Sequence, residues 1–452
     1  MPRAPFSYTA QWDRGLGFAM RFTTTVMNET TTKILPYLER LLDGEEVEWK
    51  TLGEVGTFVR GTSFQKKHFV EKGVGCIHYG EIYTRYGLFA KKTISYLNEE
   101  IANKARKASY GDLIIATTSE NDDDVCKSVA WLGSESIVVS NDACYYHHTL
   151  NPKYVAYFFS TDEFQKQKRT YITGTKVKRV NANDLAKITL PIPPLRVQAR
   201  IVEILDKFTQ LEAELEAELE ARRKQYAYYR DQLLNFSQCP PLNVNIEWKT
   251  LGEVCVHLRT GLNPRKNFKL NTEDASNYYV TVRELGGTEL LYSEKTDLIN
   301  DDALQLINNR SKLKVNDILF SGTGTIGKTA FISKEPTNWN IKEGVYALTL
   351  NTHYVLPMFV LCYLQTQSTI DWIDRMAAGG IVRSITMKNL EQLPIPIPPL
   401  SEQRRIVDIL DRFDTLTNSI SEGLPKEIAL RRKQYAYYRD ALLSFPRPEV
   451  SA

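Results

Sequence analysis

The chain's clearest hydrophobic pattern is a seam of apolar and aromatic positions spaced alternately three and four apart, and it is written twice. The first copy runs Ile201, Ile204, Phe208, Leu211, Leu215, Leu219, Arg222, Tyr226, Tyr229, Leu233 and Phe236. The second runs Ile406, Ile409, Phe413, Leu416, Ile420, Leu424, Ile428, Arg431, Tyr435, Tyr438, Leu442 and Phe445. This spacing is that of a coiled-coil face. It predicts two long helices that pack on each other, antiparallel if a twofold pseudo-axis relates the copies. The second copy has one extra step of four, a stutter that unwinds a supercoil locally and keeps the seam in phase. Gly423 and Pro425 lie inside it and are expected to kink or interrupt that helix. At ~1.5 Å per residue, roughly 40 residues would span about 60 Å.

Upstream of each seam the pattern changes to short β-rich runs with turn residues: "DLIIATT" and "SIVVS" in the first copy, "DILFSG", "TAFIS" and "YALTL" in the second. A helix is expected to start near Pro152 and near Pro357, because proline suits the first helical turn and "YVAYFF" and "FVLCYL" supply apolar faces. The prolines of "LPIPP" and "LPIPIPP" forbid helix and give stiff extended exits.

The duplication extends to exact words. "EWKTLGEV" occurs at 48–55 and 247–254, "PIPPL" at 191–195 and 396–400, and "RRKQYAYYRD" at 222–231 and 431–440, always in the same order. The interiors agree only in outline, with Asp112 matching Asp317, Pro152 matching Pro357 and Gly174 matching Gly379. The fold class is therefore α+β: two mixed α/β modules in tandem, each followed by a long helix. The expected boundaries are an N-terminal extension and short helix over 1–47, a first module over 48–195, a helix and linker over 196–246, a second module over 247–400, and a last helix and tail over 401–452.

Composition narrows the classes. The 452 residues are 42% hydrophobic and 25% charged, with net charge +3, so the chain can bury large cores and any anion-binding surface has to be local. The longest apolar run, 355–364, contains a proline and is far shorter than the ~20 residues a membrane helix needs. "GLGFAM" near the start is too short for a signal-peptide core, so a cytoplasmic location is expected. Six scattered cysteines without a CxxC pair indicate neither a disulfide framework nor a zinc ribbon. Cys144, His147 and His148 offer metal-ligand types, but an ordinary strand explains them better, and no metal site is expected.

Two segments invite stronger readings. "GTGTIGKT", 322–329, fits the phosphate-binding pattern G-x-x-x-x-G-K-[ST]. That motif needs a helix after its lysine, whereas "AFISKEP" reads as a strand, and the matching place in the first copy is "TTSENDDD". A hairpin tip is expected instead, with Gly322, Gly324 and Gly327 free to take positive φ. "RRKQYAYYRD" mixes cations and aromatics as nucleic-acid surfaces do, but Tyr226 and Tyr229 fall on the seam, so packing is the simpler reading and a partner surface the alternative.

The doubled "PIPPL" exit, followed by Gln198 or Gln403 and "RIV", then a long helix ending in "RRKQYAYYRD", with two divergent modules between, resembles the specificity subunit of type I restriction-modification systems. The resemblance covers about residues 28–445; residues 1–26 fall outside it, and Met27 is a candidate start. The segment "YLERLLDGEEVEW" is similar to the linker "RDQLLNFSQCPPLNVNIEW", as if a third partial copy closed the symmetry. The resemblance implies that each module is a target-recognition domain reading one half of a bipartite, asymmetric double-stranded DNA site. It implies that the helices set the unread spacer and dock two methyltransferase subunits, and that restriction/translocase subunits join them. It implies no cofactor on this chain, S-adenosylmethionine on the methyltransferase, and ATP and Mg2+ for restriction. The chain itself is expected to be non-catalytic: "IPPL" and "CPPL" lack the polar and aromatic ends of the [DNS]-P-P-[YFW] motif of adenine methyltransferases, and "NPKY" lacks its second proline. A type IIB-like system with a fused partner is the nearest alternative, and a coiled-coil scaffold unconnected with DNA the more distant one.

Candidate DNA contacts are the cation- and hydroxyl-rich loops. In the first module these are Lys66 and Lys67, and Thr173, Thr175, Lys176, Lys178 and Arg179 of "TGTKVKR". In the second they are Arg265 and Lys266, Thr323, Thr325 and Lys328 of the glycine-rich segment, and Arg383 and Ser384 of "GGIVRS". Cations mostly position a duplex through its phosphates while bidentate contacts read bases; each of these residues is equally readable as solvated surface.

Overall fold

The computed structural model describes residues 36–236, 245–379, 382–418 and 422–447. It contains two compact units: residues 1–214 with 428–452, and residues 215–427. The helix Leu195–Leu233 is continuous, so its first half belongs to one unit and its second half to the other.

In the first unit the strands are β1 (Glu48–Thr51), β2 (Gly56–Arg60), β3 (Phe89–Ala90), β4 (Leu113–Ala116), β5 (Thr118–Ser119), β6 (Ser128–Trp131), β7 (Ala143–His148), β8 (Lys178–Arg179) and β9 (Thr189–Ile192), with a further small sheet built on Val74–Ile77 and Ile137–Val139. The central sheet has the order β2-β7-β4-β6-β3, antiparallel except for the last pair. In the second unit β10 (Glu247–Thr250), β11 (Cys255–Thr260), β12 (Ile318–Ser321), β13 (Thr329–Phe331), β14 (Val345–Leu350) and β15 (Pro394–Ile397) follow the same plan, with a central sheet β11-β14-β12-β13. The mixed α and β content and the pairwise repetition agree with the pattern of the sequence.

The repeated words meet one another. "EWKT" pairs antiparallel with the proline-rich exit, Trp49 opposite Pro191 in one unit and Trp248 opposite Pro396 in the other. Proline lacks a donor, and a two-stranded ribbon with free outer edges tolerates that. The following "TLGE" closes a capping box: the Glu54 carboxylate accepts from Thr51 N at 2.7 Å, and Glu253 does the same for Thr250 at 2.6 Å. The glutamine after each exit is buried and joins three elements. Gln198 accepts from Asn151 N (3.0 Å) and donates to Pro193 O (2.8 Å); Gln403 accepts from Leu356 N (2.8 Å) and donates to Pro398 O (2.9 Å). Those backbone groups lie where the helices Pro152–Phe159 and Pro357–Leu364 begin, each with proline in its first turn as expected.

Along the helical seam, Ile201 and Ile406 are fully buried, Tyr226 is buried and Leu215 half-buried. Within the first unit Phe208 stacks on Tyr438 at 5.2 Å and Arg432 bonds Glu212, a pairing that runs antiparallel. Tyr435 meets Tyr157 edge-on at 6.4 Å. Within the second unit Tyr229 lies 5.7 Å from Phe413, although its side chain is 41% exposed. The seam is only one of two apolar faces: Val197, Val202, Leu205 and Leu410 are also buried, against their own module's helix and sheet. The second-copy helix is interrupted, ending at Asn418 and resuming at Gly423, which has φ +72°. Pro425 falls in the first turn of the new helix, where its missing N–H is not needed. Ile420 lies outside the described residues. In "RRKQYAYYRD" the last arginine turns back over its own tyrosine, Arg230 over Tyr226 and Arg439 over Tyr435, both at 5.7 Å; these rings and cations serve packing.

Preceding the first module, a short helix over 36–42 ends on carbonyls that Arg196 satisfies, with Nη1 to Leu41 O at 2.6 Å and Nη2 to Leu42 O at 2.9 Å. Among the described residues no helix is long and apolar enough to cross a membrane.

Candidate nucleic-acid interface

"GTGTIGKT" forms the tip of the β12–β13 hairpin, with Phe320 opposite Thr329. Four of its N–H groups, the lysine's among them, are engaged within the protein: Gly322 donates to Gly344 O, Gly324 to Arg383 O, Gly327 to Ser321 O and Lys328 to Ser321 Oγ, all within 2.8–3.0 Å. A phosphate cradle would need those donors free and a helix after the lysine; the chain continues as a strand. Gly324 and Gly327 take positive φ as expected, whereas Gly322 does not. Gly322 is required for a different reason: a Cβ there would sit 2.2 Å from the Tyr346 ring.

Against this hairpin lies the second predicted loop. Ala378 and Ser384 exchange backbone bonds at 2.9 and 2.8 Å, with Gly379 at φ +117° after the first of them, and Ser384 pairs with Thr323. The first unit repeats this at the corresponding residues. Thr173 and Arg179 exchange bonds at 2.9 Å, Gly174 has φ +89°, and β8 pairs with β5, Lys178 opposite Ser119 and Arg179 opposite Thr118. At either glycine a Cβ would approach a carbonyl oxygen of the loop to 2.4 Å or less. Thr175 and Lys176 are exposed at the tip of the first loop, and Thr323, Thr325, Lys328 and Arg383 on the second pair of loops, with Ser384 half-buried. The structure thus unites Thr323, Thr325, Lys328, Arg383 and Ser384 in one module, and gathers Thr173, Thr175, Lys176, Lys178 and Arg179 in the other.

Lys66 and Lys67 stand apart, exposed on a 3-10 turn before the smaller sheet. Among the described residues no hydrogen bond or ion pair ties them to the 173–179 loop. Arg265 is exposed on the corresponding turn Pro264–Asn267, at φ 16° and ψ −94°, with Lys266 beside it.

Several functional neighbours escaped sequence reasoning. In the first unit the loop after β5 carries Asp122, Asp123 and Asp124. Asp122 pairs with Lys178 at 3.0 Å and Asp123 with Arg169 at 3.1 Å, while Asp124 accepts from the Asn121 amide at 2.7 Å. The loop backbone is held from within by Lys168, fully buried, whose Nζ donates to Asp123 O and Val125 O at 2.9 Å each; burial lowers its pKa. A lysine one turn after Phe164 on the apolar face of helix Asp162–Arg169 was the signal for it. Tyr83 Oη donates to Thr118 O at 2.7 Å, fixing the other side of the loop. In the second unit Arg383 is held by Asp374, Nη1 to Oδ1 at 3.0 Å and Nη2 to the backbone O at 2.8 Å.

The strand residues Cys144, His147 and His148 do not converge. Alternation places His147 outside, where Nδ1 lies 2.7 Å from Asp112 Oδ1, and Cys144 and His148 inside. Among the described residues no three His, Cys, Asp or Glu are placed to hold a metal. The five described cysteines are free thiols; burial pushes Cys76, Cys126, Cys255 and Cys362 up to about 12, which leaves them inert at neutral pH.

Comparison with known proteins agrees with this doubling. The type I restriction modification DNA specificity domain matches twice, over residues 44–221 and 243–430. A type I restriction enzyme specificity subunit of Escherichia coli is 38% identical over 437 residues, 92% of this chain and 98% of the relative. A second from Escherichia coli is 27% identical, covering 86% of this chain and 92% of the relative. A solved chain from a type I restriction-modification assembly superposes with a TM-score of 0.58 at 19% identity, over 88% of this chain and 98% of that one, a likeness of fold. With two matched domains and the repeated scaffold that joins them, the chain belongs to the family of type I restriction-modification specificity subunits, which are non-catalytic.

Proposed function

We propose that the chain selects the DNA sequence on which a type I restriction-modification complex acts. Each module reads one half of a bipartite, asymmetric site in double-stranded DNA, and the helical segments fix the unread spacer and dock two methyltransferase subunits. The observation that carries this reading is the paired loop set. An identical scaffold of capping box, proline exit and buried glutamine presents, at matching register, two loops whose exposed chemistry differs: aspartates beside Lys178 in one, glycines, threonines and Lys328 in the other. A rigid frame with divergent loops is what reading two different half-sites requires. The type I names of the relatives favour this assembly over a type IIB-like one.

Chemistry falls to the partners. The methyltransferase subunits bind S-adenosylmethionine and methylate adenine, restriction/translocase subunits use ATP and Mg2+, and the assembly works in the cytoplasm. The test is methylome sequencing of cells with and without the chain while the partner genes are expressed. Loss of adenine methylation at one asymmetric bipartite motif is expected on removal. No change at any such motif would sink the reading.

A further inference from the structure

Two cations differ from the rest of the candidate interface. Lys66, Lys67, Lys176, Lys328 and Arg265 are exposed and make no ion pair among the described residues. Arg383 and Lys178 sit at the same register of the recognition loops, one opposite Gly324 and the other opposite Ser119, and each is held by a carboxylate of its own module. The acids come from unrelated places: Asp374 from helix Gln367–Met376, Asp122 from the loop after β5. Both modules thus hold a cation fixed by a carboxylate at the same point, each with an acid from a different element.

A carboxylate partner makes that point poor for phosphate and good for a base. It cancels the charge, so little counterion release is gained on binding DNA. In return it fixes the direction of the donors. Arg383 gives one Nη1–H and one Nη2–H to Asp374 and keeps three of its five N–H donors, with 45% of the side chain exposed. Its main chain is tied on the hairpin side, Gly324 N to Arg383 O at 3.0 Å, and the next residue pairs with both Thr323 and Ala378. A planar donor group on a fixed backbone suits bidentate bonding to guanine O6 and N7 in the major groove, the commonest specific contact of arginine.

We infer that Arg383 reads a guanine in the half-site of the second module, with Asp374 as its positioning residue, and that Lys178 with Asp122 holds the corresponding place in the first module. This rests on the function proposed above. The experiment uses the full chain in complex with its methyltransferase subunits, labelled S-adenosylmethionine, and duplexes randomised in either half-site, comparing wild type with Arg383→Ala, Arg383→Lys, Asp374→Asn and Lys178→Ala.

Wild type should demand a G·C pair at one position of the second half-site. Arg383→Ala should relax that position alone by about 10- to 100-fold, leave the first half-site untouched, and leave the slope of log affinity against log salt unchanged. Asp374→Asn should relax the same position partly while raising non-specific affinity, because the cation is freed. Lys178→Ala should act only in the first half-site. If Arg383→Ala keeps every base preference and loses affinity uniformly, with a slope shallower by about 0.9, Arg383 is a phosphate contact and the inference is overturned. Relaxation at a position that is not guanine overturns it equally. Should Arg383→Ala lose its folded circular dichroism spectrum, Arg383→Lys and Asp374→Asn decide, and full selectivity in both refutes the inference. A wild-type complex without any base preference would instead sink the proposed function.

Discussion

His148 gives the first unit a pH dependence whose size can be worked out. Its ring is buried beside Tyr146, ring centroids 5.0 Å apart, and faces the Leu150 backbone without a well-formed hydrogen bond. Burial pushes its pKa down to about 4; Asp112 opposes the shift in part and His147 adds to it. An unfolded histidine takes its proton near 6.5. Between these values the unfolded chain binds a proton that the folded unit refuses, so the folded state loses stability as pH falls from 6.5 towards 4 and is unaffected by this group above 6.5. At 1.36 kcal/mol per pH unit the loss is about 2 kcal/mol at pH 5 and about 3 kcal/mol at pH 4. The perturbation is His148→Leu, which keeps the volume and removes the titration. The assay is urea unfolding at pH 7.5 and pH 5, read by pulsed hydrogen exchange on peptides covering 143–148, so that the second unit does not enter. Between pH 5 and pH 7.5 the buried ring is neutral in the folded unit, so the substitution changes no charge near its neighbours there and the difference between the two proteins reports His148. Wild type should therefore lose about 2 kcal/mol more than the variant on going to pH 5. Equal losses would mean that the ring is hydrated or charged in the folded unit, and would refute the reasoning.

Lys328→Ala should weaken DNA binding by the complex equally for all sequences and make the salt slope shallower by about 0.9, as expected for one lost phosphate contact; a binding titration from 50 to 200 mM salt measures it. Gly322→Ala should destabilise the second unit by about 1–3 kcal/mol, since the new methyl meets the Tyr346 ring at 2.2 Å and endangers the Tyr346 Oη to Ile385 O bond of 2.7 Å; the urea midpoint of that unit is the readout. Gln403→Leu strands Leu356 N, and the carbonyls of Pro398 and Tyr354 lose their donor, so a cost of about 1–3 kcal/mol is expected, visible as faster exchange at the start of helix Pro357–Leu364.

What the sequence made legible was the part governed by local rules. Proline at 152 and 357 opens helices, the glycine-rich segment turns a hairpin, and Gly423 with Pro425 breaks a helix, because each constraint is set within a few residues. The partner of "EWKT" was not legible, since pairing with "TLPI" in one copy and "PIPI" in the other spans 138 to 150 residues and prolines read as the end of structure. The second apolar face of the helices was hidden because Val202 and Leu205 fall off a seam counted in threes and fours. Of the candidate interface, the loops stand out in the sequence by composition, but the acids that hold Lys178 and Arg383 do not. Nothing in a one-dimensional pattern ties Asp122 to Lys178 or Asp374 to Arg383.

The two copies also separate what the fold needs from what recognition needs. Several residues kept in both units make internal contacts: Thr51 and Thr250 with their glutamates, Gln198 and Gln403 with their carbonyls, Tyr226 and Tyr435 under their arginines. At the matching loop positions the exposed groups differ: three aspartates near Lys178 in one unit, Thr323, Thr325 and Lys328 in the other. The net charge of +3 is small, so on the proposed function the affinity for a duplex is assigned to local cations at the loop tips and to partner subunits. On the same reading, discrimination is assigned to Arg383 and Lys178, whose charge Asp374 and Asp122 cancel, so that a change of base preference there leaves the phosphate contacts alone.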